Sequence, residues 1–225
     1  MKVILLPGMD GTGILFEPLL KMLPRYIDAQ IIDYPCNKEK SYKELTDYVK
    51  EKLPYNEEFV LVAESFSGPI GYTIASDPPE NLRAVVFVAT FISVPNRFIG
   101  VLARLPLTLF LKLPLPSSFI KGALLGKDVE SHTIKLFRES LKKVSSRMLA
   151  FRIREMAKLQ CGVKKILIPC AYIVAKHDRL VSSSHIDEFK KVAPGIEVVK
   201  IPGPHFILQT NPQDCAKVVE RYVTL

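Results

Sequence analysis

A serine, a histidine and an aspartate in this chain are placed so that together they could attack a carbonyl carbon. Ser65 lies in Phe59-Val60-Leu61-Val62-Ala63-Glu64-Ser65-Phe66-Ser67-Gly68-Pro69-Ile70. The apolar run before it reads as a buried parallel strand, and the stretch after Gly68 reads as a helix. The turn between them would carry Ser65 at its apex, in a backbone conformation costing on the order of 1–3 kcal/mol. Side chains two positions away on either side would collide, and Ala63 and Ser67 have the small size that such a turn requires. The plainer reading is a serine that only N-caps a helix.

A serine hydroxyl is a weak nucleophile at neutral pH and needs a base to take its proton. Four histidines are available: His132, His177, His185 and His205. His205 follows the last strand-like run in Ile201-Pro202-Gly203-Pro204-His205-Phe206, and a Gly/Pro turn there can reach the carboxyl edge of an open sheet. Asp178 follows another strand-like run, Tyr172-Ile173-Val174-Ala175, where an acid could orient an imidazole and stabilise its cation. Each has a bland alternative, an ordinary loop histidine and a turn aspartate paired with Arg179. The rival position for an acid, after Ala84–Ala89, holds Thr90 and Phe91 and offers no carboxylate. Glu64 reads as a solvated or helix-N-terminal acid.

The pattern A-x-S-x-S with Gly68 just beyond, followed by Asp178 and His205 in that order, resembles the nucleophile elbow and chain order of the α/β-hydrolase superfamily. Within it the chain looks like a serine carboxylesterase. The glycine-rich turn Gly8-Met9-Asp10-Gly11-Thr12-Gly13 fits neither common phosphate-loop spacing, and its glycines could serve a tight turn alone. Gly122-Ala123-Leu124-Leu125-Gly126-Lys127-Asp128 likewise imitates a phosphate loop with the wrong spacing. By resemblance, Met9 and Phe66 supply the two main-chain amides of an oxyanion hole. The resemblance implies a hydrolase that cleaves carboxylic esters through an acyl-enzyme, with no metal or organic cofactor. The alternative is an acyltransferase, or a thioesterase or methyl esterase acting on a carrier-protein-bound acyl chain.

Strand-like runs at Val3–Leu6, Ala29–Asp33, Phe59–Ala63, Ala84–Ala89, Ile166–Ala175 and Glu197–Ile201 alternate with helix-like stretches. Those stretches are Gly13–Met22, Tyr42–Leu53, Pro69–Ser76, Ser184–Val192 and Pro212–Tyr222. This predicts a parallel sheet flanked by helices. The expectation is an α/β-hydrolase fold with a shortened sheet of six parallel strands. Between Ala89 and Ile166 lie about 75 residues of helical pattern, too long for an unstructured loop in a compact domain. Residues 91–165 are therefore expected to form an inserted helical lid, with two amphipathic helices over Val129–Leu159. Residues 1–90 and 166–225 would form the core. Phe91, Phe98, Leu102, Leu109, Phe110 and Phe119 suggest an apolar substrate pocket.

The chain has 225 residues and 48% hydrophobic content, enough for one domain whose core needs no metal or disulfide. The run Val3–Leu6 is too short for a secretory signal, so a strand is expected there. Cys36, Cys161, Cys170 and Cys215 are scattered without a C-x-x-C pair, which points to reduced thiols and a cytoplasmic setting. Phe98–Pro116 comes nearest to a membrane span but is interrupted by Arg104, Lys112 and three prolines.

The net charge of +8 is uneven. Arg97–Lys165 carries 15 Lys and Arg against four acids, a net +11, while the remaining 16 basic and 19 acidic residues leave −3. The basic residues follow no nucleic-acid recognition motif, so nucleic acid is not an expected partner. Lys135, Arg138, Lys142, Lys143, Arg147, Arg152 and Arg154 could instead face an acidic carrier protein or an anionic lipid surface. Surface solubility alone is the simpler account.

Overall fold

The computed structural model describes the chain except for residues 112–115, 128 and 161. The elements run β1 (Lys2–Leu6), α1 (Glu17–Met22), β2 (Asp28–Ile31), α2 (Tyr42–Lys50), β3 (Phe59–Glu64), α3 (Gly68–Ala75) and β4 (Leu82–Val88). Next come α4 (Arg97–Leu102), α5 (Leu107–Phe110), α6 (Ser117–Phe119), a π-helical turn (Ile120–Leu125), α7 (Ser131–Lys143) and α8 (Ser146–Met156). The chain closes with β5 (Cys170–Ala175), α9 (His185–Val192), β6 (Glu197–Ile201), α10 (Ile207–Thr210) and α11 (Pro212–Val223).

The six strands form one all-parallel sheet in the order β2-β1-β3-β4-β5-β6. Alternate side chains of each strand point to opposite faces, and both faces are covered. Ile4, Leu61, Val85 and Phe87 meet α2, α3 and α9 through Leu45, Ile70 and Phe189. Val3, Leu5, Val60, Val62 and Val86 meet the other side through Phe16, Leu19, Val218 and Val219. Every residue of β3 is buried, which is why its apolar run shows no polar alternation.

The strand expected from Ile166 begins only at Cys170. Pro169 lacks the N–H a ladder needs and contributes only its carbonyl, to the Val85 amide at 3.1 Å. The first helical stretch is split into a 3-10 turn, Ile14–Phe16, and α1. α2 starts at Tyr42 because Ser41 and Glu44 form a reciprocal capping box.

Sequential order reverses at β1, since β2 lies on one side of it and β3 on the other. That reversal opens a crevice beyond the carboxyl ends of β1 and β3, where ligands of open α/β sheets bind. The loop Pro7–Gly13 leaves β1 there and Ser65 leaves β3 there. The helices α4 to α8 interrupt the alternation between β4 and β5.

Candidate active site

Ser65 has φ 47°, a left-handed conformation that a residue with a side chain adopts only under constraint. The constraint is visible. Thr90, fully buried after β4, donates its hydroxyl to the Ser65 carbonyl, and the Thr90 carbonyl accepts from Tyr172 Oη at 2.7 Å. Gly68 makes this approach possible, because a Cβ there would stand 2.0 Å from Thr90 Oγ1 and 2.4 Å from the Phe91 carbonyl oxygen.

Ser65 Oγ lies 2.9 Å from His205 Nε2, and His205 Nδ1 lies 2.7 Å from Asp178 Oδ2. The other oxygen of Asp178 accepts from the Leu180 and Val181 amides at 2.8 and 2.9 Å. Such a carboxylate only accepts, so Nδ1 of His205 carries the proton and Nε2 is left to accept from Ser65. The side chains of His205 and Asp178 are 5% and 9% exposed, so their pairing is largely shielded from water.

The other histidines are engaged elsewhere. His132 pairs with Glu17 on the surface, and His177 is exposed. His185 is buried between Glu188 and the Pro95 carbonyl, tying α9 to the loop after β4. Asp187 is exposed on α9.

Met9 lies on the loop that leaves β1, and Phe66 follows Ser65 at the end of β3. Ser67 joins their two segments: its hydroxyl donates to the Pro7 carbonyl and accepts from Tyr34 Oη. The sequence marks Ser67 only by its size, whereas its hydroxyl bonds the turn after β3 to the loop after β1. Phe66 is buried and stacked on Tyr42, with ring centroids 4.7 Å apart. Glu64 is not a solvated acid. It is 5% exposed, accepts from Gln209 Nε2 at 3.0 Å, and burial pushes its carboxyl up to about 7.

A cavity of about 590 Å³ opens over Ser65 and His205, bounded mainly by apolar side chains of the helices between β4 and β5. Leu102, Phe119, Phe137, Leu149, Ile153 and Met156 line it, with Arg138 and Lys142. Of the expected pocket residues, Leu102 and Phe119 are present. Phe91 instead is buried near His185, and Phe98 is 65% exposed. Leu109 is likewise exposed, and the side chain of Phe110 lies outside the described residues.

The basic group is also redistributed. Arg152 is buried against the Met9 and Asp10 carbonyls and cannot face a partner. Arg147 pairs with Glu39 at 2.7 Å, and Lys135 lies 4.0 Å from Glu139. Arg138 and Lys142 line the cavity, whereas Lys143 and Arg154 are exposed away from its lining.

Cys36, Cys170 and Cys215 are free thiols, while Cys161 lies outside the described residues. Among the described residues no group of three or more His, Cys, Asp or Glu could hold a metal. No described helix is long and apolar enough to cross a membrane.

A search of curated protein sequences finds no match. Solved structures share the fold across nearly the whole chain. The enol-lactonase from Burkholderia xenovorans LB400 superposes with a TM-score of 0.80 at 14% identity, covering 100% of this chain and 91% of that one. A lipase-esterase related protein from Clostridium acetobutylicum gives 0.77 at 17% identity, covering 98% and 93%. ClbQ of the colibactin NRPS/PKS pathway gives 0.73 at 12% identity, covering 99% and 96%. The family model described as serine aminopeptidase, S33 matches residues 40–202, a span that includes Ser65 and Asp178. The chain therefore belongs to the serine aminopeptidase S33 family of the α/β-hydrolases.

Proposed function

We propose that this hydrolase cleaves carboxylic esters with an apolar acyl group, using Ser65 as nucleophile, His205 as base and Asp178 to orient the imidazole. The observation that carries the reading is the unbroken hydrogen-bond line from Ser65 through His205 to Asp178 at the floor of an apolar cavity. Neutral Nε2 of His205 takes the Ser65 proton as Oγ attacks the ester carbonyl. The negative charge then developing on the carbonyl oxygen is met by the Met9 and Phe66 amides. Asp178 stabilises the imidazolium, which next protonates the departing alcohol. Water, deprotonated by the same nitrogen, attacks the acyl-Ser65 ester and releases the acid.

The helices α4 to α8 act in this reading as a lid whose inner face holds the acyl chain. Reaction of the protein with a fluorophosphonate probe, and its hydrolysis of p-nitrophenyl esters of increasing acyl length, test the proposal. Labelling and hydrolysis that both vanish in Ser65→Ala are expected. Hydrolysis that survives in Ser65→Ala would refute it.

A second reading has the same acyl-Ser65 formed from a thioester or an ester on a carrier protein, with release to water or to another acceptor. Arg138 and Lys142 in the cavity lining favour an anionic donor, and ClbQ of an NRPS/PKS pathway shares the fold. Comparing acyl thioesters with p-nitrophenyl esters, with and without alcohol acceptors, separates the two.

A further inference from the structure

Arg152 is a guanidinium buried to 2% exposure on α8 without a carboxylate partner among the described residues. Its Nη1 donates to the carbonyls of Met9 at 2.7 Å and Asp10 at 2.8 Å, and its Nη2 to the carbonyl of Pro35 at 3.3 Å. The guanidinium carbon also stands 5.9 Å from the centre of the Phe66 ring and 5.7 Å from that of Tyr34. Gly11, at φ 71°, leaves the space it fills, since a Cβ there would lie 2.6 Å from Nη1. Burying a cation is costly unless hydrogen bonds compensate, and here backbone carbonyls of one loop supply most of them.

The two amide-bearing segments of the site are therefore both touched by one side chain from outside the sheet. The Gly8 carbonyl, which shares a peptide plane with the Met9 N–H, is held by the Gly11 amide at 3.0 Å. The carbonyl on the far side of Met9 is held by Arg152. With both flanking peptides fixed, the direction of the Met9 N–H is fixed too. We propose that Arg152 is a positioning residue that holds the Met9 amide in register with the Phe66 amide, so that the helices inserted between β4 and β5 set the geometry of the oxyanion site. This inference rests on the ester-hydrolase reading, because it assigns these amides a load that appears only as the tetrahedral oxyanion forms.

The test compares wild type, Arg152→Lys and Arg152→Met on a small p-nitrophenyl ester, with folding checked by circular dichroism and thermal unfolding. Kinetics are paired with inhibition by an alkyl trifluoromethyl ketone, whose hemiketal oxyanion mimics the intermediate. Removing one amide donor from such a site costs about 10²–10³ in turnover, and misaligning one should cost less, roughly 10–100-fold in kcat. KM should stay within about threefold, because ground-state binding does not use the amides. Ketone affinity should fall in step with kcat/KM, and Arg152→Lys, which keeps the charge and can reach one carbonyl, should fall between the other two.

A folded variant with wild-type kcat, or one losing only KM or only thermal stability, would overturn the proposal. If Arg152→Met does not fold, Arg152→Lys decides by the same criteria. A wild type that does not hydrolyse esters, or a Ser65→Ala variant that does, would instead refute the ester-hydrolase reading.

Discussion

The Ser67 hydroxyl donates to the Pro7 carbonyl, bonding the turn after β3 to the loop after β1. The elbow and the loop thereby share a register that neither could set alone. Ser67 stands where the general G-x-S-x-G pattern has glycine. Ser67→Gly should therefore be damaging even though it restores the pattern. The Pro7 carbonyl and Tyr34 hydroxyl would lose a buried partner, costing about 1–3 kcal/mol in urea unfolding. Turnover should fall at least about tenfold as the two amides lose alignment. A Ser67→Gly protein as stable and active as wild type would show that the bond between turn and loop is dispensable.

The pairing of Asp178 with His205 makes a sharp distinction between two nearby acids. Asp178→Asn should leave the fold intact and cost on the order of 10⁴ in kcat, because asparagine presents an N–H that favours the wrong imidazole tautomer. Asp187, exposed on α9, should tolerate Asn with ester hydrolysis essentially unchanged. Ser65→Ala should lose roughly 10⁴–10⁶. Steady-state assays on purified variants check all three, and a larger loss at Asp187 than at Asp178 would reverse the assignment.

The convergence of these three residues on one sheet edge is legible in the sequence, while other contacts are not, for a physical reason. Ser65, Asp178 and His205 each follow a strand-like run, and parallel strands deliver whatever follows them to one sheet edge. Period and turn chemistry were enough. Arg152, Ser67 and Thr90 act instead on backbone carbonyls, which leave no mark in side-chain pattern. Arg152 lies 143 positions from Met9, so nothing local distinguished it from the solvated cations around it. Phe98 failed for a different reason: α4 spans six residues, too few turns for a period to say which face is covered. A single acid after an apolar run looks like a strand end, so the sequence of Glu64 suggests a solvated or helix-N-terminal acid, whereas β3 carries burial one residue further.

Burial of Glu64 predicts a pH dependence of stability. Loss of hydration raises its carboxyl from 4.5 to about 7, with the nearby Asp10 charge adding to the rise and Gln209, His205 and the Gly8 amide opposing it. Because the folded value lies above the unfolded one, the folded state holds the proton more tightly. Its contribution is therefore fully present below about pH 4.5 and is lost as pH rises through about 7. The shift corresponds to a change on the order of 3 kcal/mol across that window. Glu64→Gln, which stays neutral, should gain on wild type by about this amount between pH 5 and pH 8 in urea unfolding. Parallel stability profiles for the two proteins would show that Glu64 ionises in the folded state as readily as in the unfolded one.

Arg138 and Lys142 bring positive charge to the cavity lining. Arg138 also donates to Ser117 Oγ at 2.9 Å, which links α7 to α6 at the cavity wall, and Lys142 follows it one helical turn later. Both side chains line the cavity over Ser65, where an anionic group at the end of an ester substrate would meet them. Its acyl chain would then run inward past Leu149 and Ile153 toward Ser65. Hydrolysis of an ester carrying a carboxylate or phosphate head should fall at least about threefold in Arg138→Glu/Lys142→Glu, mainly in kcat/KM through weaker capture. The loss should shrink as salt rises, since exposed charges are screened beyond about 8–10 Å at 0.1–0.15 M. A neutral ester of the same acyl length should be cleaved at nearly the wild-type rate by the same variant. Lys143→Glu, which changes the net charge of α7 without touching the cavity lining, should leave both substrates nearly unaffected. Equal losses on the anionic and neutral esters would assign Arg138 and Lys142 to the wall of the cavity and not to recognition of charge.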